Sequence, residues 1–547
     1  MIARSRLNLL KAILPLALLV AVQPVAAQHG GETLGAVSFP ISCAAGVRPA
    51  FERAVALLHS FGYDAARAAF ESVAADDPSC AMARWGVAMT WNHPLWAAPT
   101  APELAAGRKA AEDARTLAGQ DERERAWIGA IGAFYAEAEA ADHKTRATRY
   151  RDAMAALTRT YPQDDEAAIF HALAILGTAS PADATHAQQR AAAESLLALV
   201  PRLPQHPGIT HYLIHALDYP ELAGMALDAA RRYARIAPSS AHALHMPSHI
   251  FVRLGLWPEA IASNHDSAAS ARAMEKRFPI AAAFDALHAL DYLVYGYLQG
   301  GQHEAARAAY VEAAELASGL GAADATIASA YASAAIPARF ALERGAWRAA
   351  AALPLSLSKG GASQAMEERY PYVPAITWFA RAIGAARSGD LAVADEALAE
   401  LATRQARLAS APPPGPYDWA GHVEAQQLAA SGWIEHARGR NDEALRLLRD
   451  AARKEEKVGK HPVTPGSVLP ARELLGDLYL ELERPREALA EYESALLQTP
   501  NRLRSLEGAA RAADLAGEAE RARTFRNLVA AMTAGGDLRR ETAARSR

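Results

Sequence analysis

The amino-acid sequence predicts an all-α fold, a helical-repeat solenoid in which helix pairs stack into a superhelix. Three observations support this prediction. Alanine, a strong helix former, is abundant, apolar residues recur at helical spacing along most of the chain, and the alternation typical of strands is scarce. In addition, related residues recur 34 residues apart in several segments. Units of this length stack as helix pairs, each in contact with its neighbours.

The clearest repeat lies near the C-terminus and begins at Leu469. Seven of its signature positions carry the residues Leu475, Gly476, Tyr479, Ala488, Tyr492, Ala495 and Pro500. This pattern resembles the tetratricopeptide repeat, although Arg472 replaces the usual tryptophan at the fourth position. Small residues at positions 8 and 20 let helices A and B approach closely, and the proline at position 32 ends helix B.

Weaker copies of this repeat begin at Val47, Ala81, Pro207 and Ala241. Proline-rich and glycine-rich stretches near 356–374 and 411–418 indicate loops. We therefore predict five divisions: a signal peptide over 1–27, a histidine-rich N-terminal solenoid over 28–355, a connecting segment of loops and helices over 356–418, C-terminal repeats over 419–535 and a polar tail over 536–547.

The N-terminal residues have the pattern of a secretory signal. Arg4, Arg6 and Lys11 precede a short apolar run, and Val25-Ala26-Ala27 supplies the small residues of a cleavage site. We expect cleavage after Ala27 and a periplasmic or secreted protein. No later stretch is apolar enough for a membrane span.

Charge and cysteine content narrow the function classes. The chain has 57 Lys and Arg against 61 Asp and Glu, which does not suit a nucleic-acid partner. In an oxidising compartment, the only two cysteines, Cys43 and Cys80, are candidates for one disulfide. A metal site using both thiolates is the alternative, although the two cysteines lie too far apart for a CxxC pair.

Histidines are concentrated between His206 and His288. His211 and His215 lie one helical turn apart, and His245 and His249 repeat this pair 34 residues later. All four therefore occupy positions 5 and 9 of helix A in adjacent repeats. The tetratricopeptide resemblance implies that these positions line the concave groove, where we expect the four imidazoles to converge on a metal.

Other candidate ligands share the repeat spacing or lie close in the sequence. His59 and His93 are also 34 residues apart, each at position 13 of its repeat. His288, Asp291 and Tyr295 suit positions 2, 5 and 9 of a further helix A. The additional metal candidates are therefore His59, His93, His265, Asp266, His288 and Asp291.

The donor types predict a transition metal. Imidazole ligands favour copper or zinc, and iron becomes possible if Asp266 or Asp291 joins the group. Two metals sharing six histidines would suit oxygen or redox chemistry, so one hypothesis is a metal-dependent oxidoreductase. The alternatives are structural packing of the histidines and a non-catalytic scaffold whose groove holds a peptide, a protein partner or a small molecule. The sequence contains no HExxH, no Walker loop and no dinucleotide fingerprint.

Residues 37–300 resemble a set of exported bacterial tetratricopeptide proteins, mostly without an assigned activity. The motifs that carry this resemblance include HYLIH at 211–215 and HMPSHIF at 245–251. The resemblance implies the fold and export, and it implies no particular reaction.

Overall fold

In a computed structural model, the described residues are 32–95, 98–180, 183–321, 325–355, 367–410 and 417–537. The predicted signal peptide over 1–27 and most of the polar tail lie outside them. The described residues contain α-helices and short 3-10 helices and no strand. The prediction of an all-α fold is confirmed.

The helices of the N-terminal half are α1 (Arg48–His59), α2 (Tyr63–Asp76), α3 (Ala81–Met89), α4 (Ala101–Leu117), α5 (Glu122–Tyr135), α6 (His143–Thr160), α7 (Asp165–Gly177), α8 (Ala187–Leu197), α9 (Pro207–Leu217), α10 (Leu227–Ile236), α11 (Ala241–His245), α12 (Pro247–Arg253) and α13 (Trp257–Met274). Those that follow are α14 (Pro279–Gln299), α15 (His303–Gly319), α16 (Ile327–Glu343), α17 (Trp347–Ala351), α18 (Val373–Ser388), α19 (Leu391–Ser410), α20 (Trp419–Ala437), α21 (Asn441–Val458), α22 (Ala471–Glu481), α23 (Pro485–Gln498), α24 (Leu503–Leu515) and α25 (Ala519–Met532).

These helices form consecutive A–B pairs with the register that the sequence predicts. Helices α3, α9 and α11 begin at the first residue of their predicted repeats, and α1 begins one residue later. In the C-terminal repeat, the α-carbon of Gly476 packs so closely on Tyr492 that an added Cβ would lie 2.9 Å from the ring. Helix α23 ends at Gln498, just before Pro500. The tetratricopeptide-type solenoid is therefore confirmed.

The two cysteines form the predicted disulfide. Cys43 precedes α1, Cys80 precedes α3, and their Cα atoms lie 4.9 Å apart. Because both sulfurs are in the S–S bond, the alternative of a two-thiolate metal site is wrong. The bridge ties together the leading edges of the first two repeats.

The C-terminal repeats pack back onto the middle of the chain. The Trp257 indole donates to the Asn501 carbonyl oxygen at 2.7 Å. Arg502, fully buried, donates to the Glu473 carboxylate at 2.7 Å and to the Tyr295 hydroxyl at 2.9 Å. These contacts join segments that lie more than two hundred residues apart in the sequence.

The loop between α21 and α22 also reaches the central repeats. The Lys460 ammonium donates to the Asp218 carboxylate at 2.8 Å, and the Arg339 guanidinium donates to the carbonyls of Gly466 and Ser467 at 3.0 Å. We call residues 459–470 the central loop. Its position brings the C-terminal half against the histidine-rich repeats.

Within the part of the chain that is described, no helix is long and apolar enough to span a membrane. The described residues from Thr33 to Asp537 belong to a single packed unit. The internal boundaries that we place near residues 355 and 419 stay predictions, and α18 and α19 lie between them.

Candidate metal centre

Six histidines come together from three successive repeats, on α9, on the consecutive helices α11 and α12, and on α14. Each group of three combines positions 5 and 9 of one repeat with position 2 of the next. The first set is His211, His215 and His242, and the second set is His245, His249 and His288. Within each set, one potential ligand atom per residue lies within 4.8 Å of the other two. We call the two sets together the six-histidine centre.

The first set joins α9 to α11. The Nε2 atom of His211 lies 3.1 Å from Nε2 of His215 and 3.1 Å from Nε2 of His242. The Nδ1 atom of His211 lies 2.6 Å from the backbone oxygen of His59, which can only accept a hydrogen bond. In a neutral ring, Nδ1 must therefore carry the proton, and the Nε2 lone pair points at the two other imidazoles.

The second set has an even more constrained pattern of protons. The Asn264 amide nitrogen donates to the Ala260 carbonyl at 2.8 Å, which leaves the Asn264 side-chain oxygen as the acceptor toward His245. Nδ1 of His245 lies 2.6 Å from that oxygen and therefore donates to it. Nδ1 of His249 donates to the Asp218 carboxylate at 3.0 Å. Both Nε2 atoms are then acceptors only, and they face each other at 3.0 Å.

The two sets are neighbours. The ring centroids of His215 and His249 lie 6.3 Å apart, and so do those of His242 and His245. His288 completes the second set, with its ring 4.1 Å from that of His245. The structure thus brings together the four histidines predicted to converge, His288, which was also a predicted candidate, and His242, which was not.

Burial keeps these rings neutral. It is the main cause that lowers the pKa of all six imidazoles, and the neighbouring imidazoles lower the pKa of most of them further. For His211 the pKa falls to about 3. Five of the six residues are buried, and His215 is partly exposed. The centre therefore offers uncharged nitrogen donors at neutral pH.

Asp218 holds the second set in place by accepting a hydrogen bond from Nδ1 of His249, the nitrogen that faces away from the other histidines. Burial acts to raise the pKa of this carboxyl, but the positive charges of Lys460 and Arg253 outweigh burial and hold the pKa below its usual value. Arg253 donates to Asp218 at 2.8 Å, as Lys460 does. Burial lowers the pKa of Lys460 to about 8, and Asp218 opposes that shift. An ionised Asp218 that orients His249 is the arrangement typical of the support behind a metal-binding histidine.

A third cluster contains His59, Glu166 and His206, which we call the carboxylate network. The two Nε2 atoms donate to the two oxygens of Glu166, each at 2.9 Å. Nδ1 of His59 accepts from the Tyr212 hydroxyl at 2.9 Å. Nδ1 of His206 accepts from the Ile209 backbone N–H at 3.4 Å. Every ring nitrogen is satisfied by a hydrogen bond, so this network does not need an ion.

The charge state of Glu166 agrees with this pattern. Burial acts to raise its pKa, but His206 and His59 outweigh burial and lower the pKa to about 2. Gly208 makes room for the network, because a Cβ at this position would lie 2.5 Å from Nδ1 of His59. His59, predicted as a metal ligand, takes part in this hydrogen-bonded network and lies outside the six-histidine centre.

Four further sequence-predicted ligands lie away from the six-histidine centre. His93 follows the end of α3 at Met89, and it contacts the Thr90 carbonyl at 3.0 Å and the Tyr63 ring. Helix A of this repeat ends before position 13, so the shared spacing of His59 and His93 does not place them on equivalent helical faces.

His265 and Asp266 lie on the outer face of α13, with side chains 66% exposed. Their neighbour Asn264 is buried and contacts His245. Asp291 is buried on α14, where its carboxylate lies 3.7 Å from the Arg339 guanidinium. Within the part of the chain that is described, neither set of three histidines includes a carboxylate.

His242 and the residues that support the rings were not predicted from the sequence. His242 could have been predicted, because it occupies position 2 of its repeat, as His288 does, and this repeat follows the one that contains His211 and His215. Asp218, Asn264 and Lys460 could not have been, since they come from different elements. Tyr292, whose hydroxyl lies 3.3 Å from the His249 ring nitrogens, was likewise not predicted.

The fold and this arrangement define the chain as a tetratricopeptide-type helical-repeat protein with two adjacent groups of three histidines. No family model matches the chain, and no curated protein sequence matches it.

Solved structures similar to the chain are helical-repeat proteins. A human IFIT1 dimer with m7Gppp-AAAA is 12% identical, with a TM-score of 0.36 over 79% of this chain and 87% of that chain. A monomeric IFIT1 mutant with Gppp-AAAA is 11% identical, with a TM-score of 0.37 over 82% and 90%. The APC/C hetero-tetramer Cut9–Hcn1 is 13% identical, with a TM-score of 0.28 over 91% and 89%. At these values the similarity carries no argument about a ligand or a partner.

Proposed function

We propose that this protein is an exported bacterial metalloprotein whose six-histidine centre binds two transition-metal ions, one in each set. The observation that carries the proposal is the 3.0 Å separation between Nε2 of His245 and Nε2 of His249. Each of these rings has its single proton on the opposite nitrogen, so two lone pairs face each other.

Facing lone pairs repel, and the protein has few ways to relieve the repulsion. A proton between the rings would create a buried imidazolium, which desolvation opposes. A bound cation relieves the repulsion without that cost. Two nitrogens about 2.0–2.1 Å from one ion lie about 2.9 Å apart at a right angle and about 3.3 Å apart at a tetrahedral angle. The observed separations of 3.0 and 3.1 Å suit shared coordination.

The ligand set favours copper or zinc. Each set offers three imidazoles, and neither Asp266 nor Asp291 reaches them, which removes the reason for expecting iron. Among divalent ions copper stands highest in the Irving–Williams order. Two neighbouring copper ions would supply redox chemistry, and we therefore propose an oxidoreductase activity at this centre.

The scaffold alternative has less support at this position. The central loop contacts the histidine-bearing helices, with Lys460 on Asp218 and the Val463 carbonyl 3.4 Å from the Tyr292 hydroxyl. His461, Val463 and Thr464 are themselves buried. The protein's own loop thus lies where a peptide bound against these helices would contact them.

Metal loading tests the proposal. The full chain, incubated separately with Cu(II), Zn(II) and Fe(II) and then dialysed, should retain two copper ions per chain by elemental analysis. His242→Ala and His288→Ala should each leave one ion, and the double variant should leave none. The matched control is His265→Ala, which removes an exposed histidine and should retain both. A wild-type protein that retains no metal contradicts the proposal and favours the scaffold.

The redox part has its own test. The copper-loaded protein, reduced with ascorbate, should consume dioxygen when it is exposed to air, whereas the double variant should not. Retention of zinc alone, or a reduced copper form that is indifferent to dioxygen, contradicts an oxidoreductase while leaving the metal site in place.

Export is proposed from the N-terminal pattern and from the disulfide, which suits an oxidising compartment. N-terminal sequencing of protein recovered from the periplasm should begin at Gln28. A cytoplasmic protein that keeps its first residues would contradict this.

A further inference from the structure

One loop position repeats along the solenoid. In eight A–B helix pairs, the residue two positions before helix B has a positive φ, and the next residue donates its backbone N–H back to the last turn of helix A. This is a helix C-terminal motif that favours glycine, because an L side chain in this region clashes with its own backbone. Six of the eight residues are glycine: Gly255, Gly301, Gly345, Gly389, Gly439 and Gly517.

Phe61 and Glu483 are the two exceptions among these eight pairs. Their φ angles are 55° and 57°, so the backbone conformation is the one that glycine supplies elsewhere. Glu483 is exposed, whereas Phe61 is buried. The left-handed backbone conformation is unfavourable for a bulky aromatic residue. Where such a residue occurs, the surrounding structure stabilises it, often at a functional site.

The Phe61 ring covers the first set. Its centroid lies 4.3 Å from the His211 ring, 5.6 Å from the His215 ring and 5.6 Å from the His242 ring. Phe61 is only 5% exposed. The left-handed backbone therefore places one apolar ring against all three imidazoles of the set that contains the partly exposed His215.

We propose that Phe61 is a specificity-determining residue that shields the first metal and admits only small ligands to it. The inference rests on the proposed metal centre. An aromatic ring against three ligating imidazoles occupies space that a larger exogenous ligand would need, while a small anion or a diatomic molecule can approach past His215. Phe61 would thus restrict the ligands and substrates of the first set by size.

The test uses the copper-loaded full chain and two probes, azide as a small ligand and 4-phenylimidazole as a bulky one. Phe61→Gly is a suitable variant because glycine is the residue that six other repeats have at this position. Glu483→Gly makes the same backbone change away from the histidines and is the matched control. Binding is followed by the visible absorption and the electron paramagnetic resonance spectrum of Cu(II).

The wild-type protein and Glu483→Gly should bind azide and should bind 4-phenylimidazole weakly. Phe61→Gly should keep two copper ions and bind 4-phenylimidazole at least about tenfold more tightly, with azide affinity changed less than about threefold. Phe61→Leu should fall between the two.

Two results would overturn the inference while leaving the proposed function standing. One is an unchanged 4-phenylimidazole affinity in Phe61→Gly with both copper ions present. The other is loss of the first copper in Phe61→Gly, which would make Phe61 a support for the ligands rather than a shield. If the wild-type protein binds no copper, the proposed function and this inference fail together.

Discussion

The six-histidine centre and the carboxylate network are both built mostly from buried imidazoles. Each set of the centre, like the network, brings three potential ligands within 4.8 Å of one another. In the carboxylate network, Glu166 accepts from His59 and His206, and each ring's other nitrogen accepts a hydrogen bond. In the second set, by contrast, the only protons of His245 and His249 are donated outward, to Asn264 and Asp218.

This difference shows that the number of histidines does not define a metal site. What matters is where the ring protons are held, because a proton on the inward nitrogen is donated to a carboxylate, whereas a lone pair there can coordinate a cation. We therefore expect the two clusters to respond differently to a change of pH and to the replacement of one residue in each.

The largest expected difference lies in the pH dependence of the free energy of unfolding of the metal-free protein. The pKa of His211 is about 3 in the folded chain, against about 6.5 in an unfolded chain. Between these values the unfolded chain binds more protons, so stability is full above about pH 6.5 and is lost as the pH falls. Burial lowers the pKa of the other five imidazoles as well, so each of them adds to this loss.

Within the carboxylate network, burial lowers the pKa of His59 as it does for the other buried imidazoles, but the Glu166 carboxylate should respond at lower pH. Because the pKa of Glu166 is lowered to about 2, its contribution is present above about pH 4.5 and is lost only below that value. Urea unfolding at pH 7.5 and 5.5 should show a steep loss of stability in the wild-type protein and in Glu166→Gln. Replacing all three histidines of the first set with Gln should reduce the slope. Equal wild-type stability at the two pH values would contradict the burial of neutral rings.

Removing one histidine from each cluster gives the next effect. His249→Ala should lower the metal affinity of the second set more than about 100-fold. Replacing a residue that only hydrogen-bonds to a ligand already lowers metal affinity about 10–100-fold, and His249 is itself a proposed ligand. His206→Ala should keep both ions but lower the free energy of unfolding by about 1–3 kcal/mol, since it leaves buried Glu166 without one of its donors. The measurements are metal titration and urea unfolding of both variants. Metal loss in His206→Ala would remove the distinction between the clusters.

A smaller effect is expected from residues that hold the rings. Asn264→Leu removes the acceptor for Nδ1 of His245 and should weaken metal binding at the second set about 10–100-fold. Tyr212→Phe removes the donor to Nδ1 of His59 and should leave metal affinity unchanged. Competition with a chelator of known affinity measures both. Equal affinities in the two variants would show that Asn264 does not fix the His245 tautomer.

The smallest effect is expected at a sequence-predicted ligand that the structure places on the surface. His265→Ala should change neither the number of bound ions nor the free energy of unfolding by more than about 0.5 kcal/mol, because the side chain is exposed. Loss of an ion in this variant would mean that α13 contributes a ligand by another arrangement.

Most of the fold follows from local sequence rules. Small residues such as Gly476 and Ala488, and helix-ending prolines such as Pro500, recur at fixed positions because each repeat solves the same packing problem. The packing of the C-terminal repeats against Trp257 and Tyr295 was not predicted. It depends on how small rotations between repeats add up along the superhelix, which no single repeat specifies.

The centre was predictable where it follows the repeat and not elsewhere. The pairs at positions 5 and 9 follow from helical geometry, and His242 could have been found from the shared position 2. Spacing failed for His93, because α3 ends before that position. Asp218 and Lys460 meet across 242 residues, and such a contact follows only from the folded chain.

The most direct test of the central claim is anomalous diffraction at the copper edge from crystals of the copper-loaded protein. We predict two peaks, one about 2.0 Å from Nε2 of His211, His215 and His242 and the other equally close to Nε2 of His245, Nε2 of His249 and a ring nitrogen of His288. Glu166 and its two histidines should show no peak. A map without peaks at the six-histidine centre, or with its main peak at Glu166, would contradict the account.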